Sequence, residues 1–166
     1  MLFRSPDGVA GDQLGATVST CGGTIVAGVP RRRLAAVFER REGTWTRATT
    51  LADADGAAAD GFGSSVCCAG PLVVVGAPSR PGPSGMTKAG AAVVFERSAA
   101  AWRQAATLAL ESPRTGDNFG YAVAARMAGP DARPVIVASA PGFDAASTDG
   151  GAAFAWSRQP DGWRRM

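Results

Sequence analysis

The sequence predicts an all-β fold made of about three copies of one four-stranded unit. Three observations carry this. First, one pattern recurs three times: an aromatic or Leu followed by Gly, a short apolar strand, a Gly/Ser-x-Pro stop, a strand ending in an aromatic, and a Trp. Its landmarks are Leu14-Gly15, Gly28-Val29-Pro30, Phe38 and Trp45 in the first copy. They are Phe62-Gly63, Gly76-Ala77-Pro78, Phe95 and Trp102 in the second, and Phe119-Gly120, Ser139-Ala140-Pro141, Trp156 and Trp163 in the third. The strand-end aromatic precedes the Trp by seven residues each time. Second, 22 Gly and 11 Pro in 166 residues supply the turns of a chain of short strands. Third, apolar runs such as Leu72-Val73-Val74-Val75 are short and β-branched, as in strands buried on both faces. A repeat of this length is one supersecondary unit that buries its faces against its neighbours. The expected architecture is therefore a β-propeller segment of about three four-stranded antiparallel blades.

The elements follow from alternation and turn punctuation. In the second unit the strands are expected at Ser64–Ala69, Leu72–Gly76, Gly90–Arg97 and Trp102–Leu108. Gly70-Pro71 makes the first turn, and Pro78 ends the second strand because it cannot donate to a ladder. Ser79–Ala89 is a loop rich in Pro, Gly and Ser. The first unit has a shorter loop, Arg31-Arg32-Arg33, and strands at Ala16–Cys21, Thr24–Gly28, Ala35–Arg40 and Thr44–Leu51. The third has Tyr121–Arg126, Val135–Ala138, Ala152–Ser157 and a start at Trp163. Phe3 to Gly15 aligns with Leu51 to Gly63, which puts Phe3 where Leu51 stands. The chain reads as one domain over 1–166, with blades at about 11–60, 61–117 and 118–166. Residues 1–10 read as the end of a preceding or shared blade.

Composition limits the chemistry. Apolar residues are 46% and charged residues 19%, enough for a packed core. There is no histidine, which removes the commonest general base and the commonest metal ligand. Ser64-Ser65 and the thiols have no base to activate them, and enzyme activity is not expected. A net charge of +3, carried mostly by Arg, is too small to point to nucleic acid. Cys21, Cys67 and Cys68 match no zinc or redox spacing. Buried free thiols are the expected state, and a disulfide between neighbouring units is the sharper alternative. Adjacent Cys67 and Cys68 point to opposite faces of a strand, so no packing layer holds both. No stretch reaches the roughly 18 apolar residues of a membrane span. Met1–Pro6 is not followed by the apolar region of a signal peptide.

Phe62-Gly63-Ser64-Ser65-Val66 followed by Leu72–Pro78 resembles the FG-GAP repeat of integrin α chains and bacterial surface proteins. The segment Leu51–Gly63 is similar to the bacterial type of connection. The resemblance covers nearly the whole chain, with Leu14, Val29 and Ser139 as departures. It implies a radial array of four-stranded blades, an extracellular or cell-surface location, and adhesion or protein and ligand binding without catalysis. Integrin-type repeats often carry a calcium loop in the first hairpin of a blade. Here those hairpins are Cys21-Gly22-Gly23, Ala69-Gly70-Pro71 and Gly129–Pro134, with one carboxylate among them, so no metal and no cofactor is expected. Asp53, Asp55 and Asp60 read as turn-forming side chains, with Asp12 and Asp117 as their positional equivalents.

The resemblance places ligands at the rim formed by the loops between second and third strands. The candidate partner-binding residues there are Arg31, Arg32, Arg33, Arg80, Lys88, Phe143 and Asp144. The partner class is a protein or glycan, with no nucleic acid, and the open blade faces favour self-association or a larger propeller. The Arg run by itself reads first as a solvated loop, with a patch for an acidic partner as the sharper alternative. Trp45, Trp102 and Trp163 share one phase and read as packing between blades, not as a stacking platform. Two other readings stand beside the binding module. One is a structural subunit of a larger assembly. The other is a kelch-like propeller with an enzymatic relative, for which only Gly150-Gly151 supplies the needed glycine pair.

Overall fold

The computed structural model describes residues 3–4, 7–57, 59–99, 101–128, 133–144 and 150–166. Among these, twelve strands form three separate four-stranded sheets, each in simple sequence order with antiparallel neighbours. Blade 1 is β1 (Val18–Cys21), β2 (Thr24–Val29), β3 (Leu34–Arg41) and β4 (Thr44–Leu51). Blade 2 is β5 (Ser65–Ala69), β6 (Leu72–Ala77), β7 (Ala91–Ser98) and β8 (Ala101–Leu108). Blade 3 is β9 (Val123–Ala128), β10 (Arg133–Ala140), β11 (Ala152–Gln159) and β12 (Gly162–Arg165). Short 3₁₀ turns occupy Pro30–Arg32 and Pro83–Gly85. Among the described residues no helix is long and apolar enough to cross a membrane.

The three-blade expectation holds, and the strands agree with their expected bounds within two residues at each end. β10 is longer than expected at both ends, Arg133–Ala140 rather than Val135–Ala138. Pro134 is accommodated because β11 pairs with β10 only from Val135 onward, so no donor is missed on that side. The first hairpins turn through Gly22-Gly23 and Gly70-Pro71, with Gly22 (φ 54°) and Gly70 (φ 58°) in the left-handed region. The pairing of β3 with β4 slips between Val37 and Phe38, and that of β7 with β8 slips at the equivalent Val94 and Phe95. The same irregularity therefore bends the outermost strand in both blades.

Each blade is a wall with two apolar faces, because alternate strand residues point to opposite sides. In β6, Val73, Val75 and Ala77 face blade 1, whereas Leu72 and Val74 face blade 3, and all five are essentially buried. The first interface layers Val26, Ala35, Val37 and Leu51 against that front face of blade 2, with Phe62, Phe95 and Trp102. The second layers Leu72, Val74, Val94 and Leu108 against Ile136, Ala138, Trp156 and Trp163. A third cluster, Ala27, Ala36 and Phe38 with Phe3, Leu14, Ile25 and Trp45, covers part of the front of blade 1. Phe3 packs edge-on against Phe38 at 5.1 Å and Trp45 at 5.8 Å. That is the role Leu51 plays one blade later, as its alignment predicts. Trp102 and Trp163 lie in the layers between blades, as expected, whereas Trp45 lies in the cluster on the front of blade 1, against Phe3.

Three polar devices register one blade on the next. A Cβ on Gly28 would overlap the Gly63 carbonyl oxygen, and a Cβ on Gly76 would overlap that of Gly120. Each glycine therefore leaves room for the carbonyl of the following blade. Ser19 Oγ accepts the Cys68 N–H at 3.1 Å, and at the equivalent place Cys67 Sγ accepts the Ala125 N–H at 3.1 Å. Glu39, only 4% exposed, accepts from Arg97 Nη2 (3.2 Å) and Trp102 Nε1 (3.3 Å) of blade 2, and from Arg41 (3.0 Å). Glu96 repeats part of this with Arg158 at 3.6 Å, while Trp163 Nε1 has no hydrogen-bond partner.

The buried-thiol expectation fails for two of the three cysteines. Cys21 and Cys68 form a disulfide between blades 1 and 2, across 47 residues of sequence. The stacking sets β1 beside β5 with the two Cα atoms 5.8 Å apart, a separation that a disulfide spans. Cys67 points the other way, toward blade 3, and remains a free, half-buried thiol.

Candidate functional site

The rim at the loops between second and third strands is built on the connections between blades. Asp12, Asp60 and Asp117 occupy one repeat position and are 8%, 1% and 1% exposed. Each accepts a nearby backbone N–H: Val9 to Asp12 (2.8 Å), Phe62 to Asp60 (3.0 Å) and Arg114 to Asp117 (2.6 Å). Asp53 Oδ1 likewise accepts the Asp55 N–H at 3.1 Å. Short carboxylate side chains thus satisfy loop donors that no strand reaches, the Asx-turn role expected of them. These oxygens are committed to backbone and to Arg. Among the described residues no three acidic or cysteine side chains converge as metal ligands.

Arg32 and Arg80 also share one repeat position, two residues after the stop proline. Arg32 Nη1 donates to the Asp7 carbonyl at 3.0 Å and lies 3.5 Å from Asp12. Arg80 forms an ion pair with Asp53 and donates to the Asp55 carbonyl at 2.8 Å. Both guanidinium groups staple the loop of their own blade to the connection leading into it. In blade 3 the same position is Phe143, which packs edge-on against Phe154 at 5.1 Å. The adjacent Asp144 lies 3.5 Å from Arg114, so an acid on the loop and an Arg on the connection reverse the earlier arrangement.

The candidate residues therefore fall at three successive corners and do not form one patch. Arg31, Arg32 and Arg33 sit at the first, Arg31 and Arg33 exposed and Arg32 tied down. Arg80 sits at the second, largely buried in its ion pair. Lys88, Phe143 and Asp144 meet around the connection 114–118. The Lys88 carbonyl accepts the Asn118 N–H at 2.9 Å, and the Gly142 N–H reaches the Asp117 carbonyl at 3.2 Å. The rest of the third loop, residues 145–149, and the hairpin residues 129–132 lie outside the described residues. A recess of 210 Å³ runs between the Ser79–Ala89 loop and the next connection, walled by Arg80, Pro83, Ala89, Leu110 and Pro113.

Sequence reasoning missed Arg47 and Gln104. Each stands two residues after its blade's Trp, a recurrence that could have flagged them. Arg47 pairs with Asp7 at 2.6 Å, and Gln104 Nε2 donates to Asp53 Oδ1 at 3.1 Å. The corners are therefore cross-linked from both the loop and the outer strand. The rim thus presents charged and hydrogen-bonding side chains that are tied to the connections.

The FG-GAP repeat family matches residues 45–95, from β4 of blade 1 to the strand-end Phe95 of blade 2. No curated protein matches the chain. The matched segment holds the connection with its buried Asp60, the Phe62-Gly63 pair and the Gly76-Ala77-Pro78 stop, and equivalent features recur on either side of it. The chain thus carries an FG-GAP repeat, set within three propeller-type blades.

Proposed function

We propose that the chain is a non-catalytic FG-GAP module of the cell-surface, adhesion type, and that it binds an acidic protein or glycan at its rim. The observation that carries this reading is the division of labour among its charged side chains. Arg32, Arg47 and Arg80 hold the connections, while Arg31 in the 3₁₀ turn Pro30–Arg32 and Arg33 directly after it stand exposed. The disulfide between Cys21 and Cys68 supports an oxidising, extracellular setting. The proposed ligand belongs to the class recognised by exposed guanidinium groups, carboxylated or sulfated chains among them.

Heparin affinity tests it. Retention of the purified chain is expected to fall steeply with salt, and to drop in the double variant Arg31→Ala/Arg33→Ala while the thermal midpoint stays unchanged. If the native chain passes unretained at low salt, the acidic-ligand reading is wrong. A second reading, a structural subunit packed inside a larger assembly, is favoured by the apolar front of blade 1, where Val18 is 65% exposed.

A further inference from the structure

The devices that register one blade on the next have a direction, and they stop at blade 3. A blade receives its successor on its rear face. That face presents a glycine under the next blade's carbonyl (Gly28, Gly76), a short side-chain acceptor for a backbone N–H (Ser19, Cys67) and a glutamate for an Arg (Glu39, Glu96). The repeat places Ser139, Ala124 and Ser157 at these positions in blade 3. All three devices are therefore missing there. Ser139 puts a Cβ where the carbonyl of a following blade would lie, and its hydroxyl accepts the Ala122 N–H of its own blade at 3.0 Å. Ala122 itself replaces Ser65, whose hydroxyl bonds the Gly120 carbonyl at 2.9 Å across the interface between blades 2 and 3.

The front face of blade 1 has not lost its half of the arrangement. Gly15, Thr20 and Arg40 stand where Gly63, Cys68 and Arg97 meet blade 1. Around them lies an apolar recess of 280 Å³ lined by Phe3, Leu14, Val18 and Ile25. Ile25 aligns with Val73, which is wholly buried once a blade covers it, whereas Ile25 is only half-buried.

We propose that stacking in this chain is one-sided. The front of blade 1 is a docking surface for a blade whose rear face carries a glycine, a short side-chain acceptor and a glutamate, and the rear of blade 3 lacks what it needs to receive a blade in this way. The occupant is thus an FG-GAP-type blade other than blade 3 of a second copy, and copies of this chain do not join head to tail. The continuity argument is direct, since the same front face is covered in this way in blades 2 and 3. The inference is independent of what the rim binds.

Light scattering across a concentration series tests it on the full chain. The native protein is expected to show no association that Ile25→Glu abolishes. The triple variant A124S/S139G/S157E restores the missing devices, and its mass is expected to rise to multiples of one chain. Adding Ile25→Glu to the triple variant should return it to a single chain. A folded triple variant that stays monomeric overturns the proposal, as does head-to-tail association of the native chain. Gly76→Ser tests the same point should the triple variant not fold, because it puts the blade 3 residue into blade 2. Hydrogen-exchange protection across β9–β12 is then expected to be lost, alone or with that of the whole chain. Unchanged protection there also overturns the proposal.

Discussion

Glu39 shows how one residue can register two blades. Burial by itself raises the pKa of its carboxyl. Hydrogen bonds from Arg41 and Trp102, with the positive charges of Arg97 and Arg41, outweigh that and hold it below its ordinary value of 4.5. A carboxyl whose folded pKa is depressed stabilises the fold above its unfolded pKa. That contribution is lost as pH falls through the folded pKa. The thermal midpoint of the native chain is therefore expected to drop as pH falls below about 4.5, the reference value for Glu39. Glu39→Gln is expected to flatten that drop while lowering stability at neutral pH. A native-like pH profile in the variant would show that Glu39 is not the group responsible. The other buried carboxylates work more locally. Asp12, Asp60 and Asp117 accept backbone N–H groups inside their own connections, so they shape the corners without joining the blades.

At the scale of the element, two contacts join outer or inner strands of neighbouring blades. Trp102 on β8 lies in the layer between blades 1 and 2 and anchors to Glu39 through its indole N–H. Trp102→Ala removes both the ring and a donor to a buried carboxylate, and is expected to cost about 3 kcal/mol by urea denaturation. A change under about 1 kcal/mol would mean that the ring contributes little beyond surface cover. On the inner side the disulfide joins β1 to β5 and closes a loop of 47 residues. Loop-entropy reasoning gives about 4 kcal/mol for a loop of that size. Reduction, or Cys21→Ser, is expected to lower the midpoint and to loosen β1 first, because β1 is the shortest strand of blade 1 and its Val18 is 65% exposed. An equal loss of protection in β9 would count against this local role.

For the whole molecule, stability follows coverage. Each blade touches only its neighbours, so protection is set by how many faces a neighbour hides. Val73, Val74 and Val75 in β6 are fully buried, whereas on β10 Ile136 is buried and Val137 is 38% exposed. Amide exchange in the native chain is therefore expected to be slowest in β6 and faster in β10, with β1 faster still. Equal protection in all three blades would instead mean that the open faces are covered in solution.

The sequence alone determined the blade count, the strand order within each blade and the packing of Trp102 and Trp163 between blades. Each of these depends on residues close together in one repeat, where a two-residue period, a stop proline and a turn glycine act locally. The turn role of Asp53 and Asp60 was legible for the same reason. Only the tertiary structure decided what one blade does to the next. The Cys21–Cys68 bond, the Glu39 contacts with Arg97 and Trp102, and the capture of Arg32 and Arg80 by the connections all depend on how neighbouring segments stack or fold back. Two blades with the same pattern can be set against each other with several offsets, and a one-dimensional repeat carries no term that chooses among them. The choice comes from shape and charge across the interface: a glycine that leaves room for a carbonyl, a thiol or hydroxyl that takes an N–H, and a glutamate that meets an arginine.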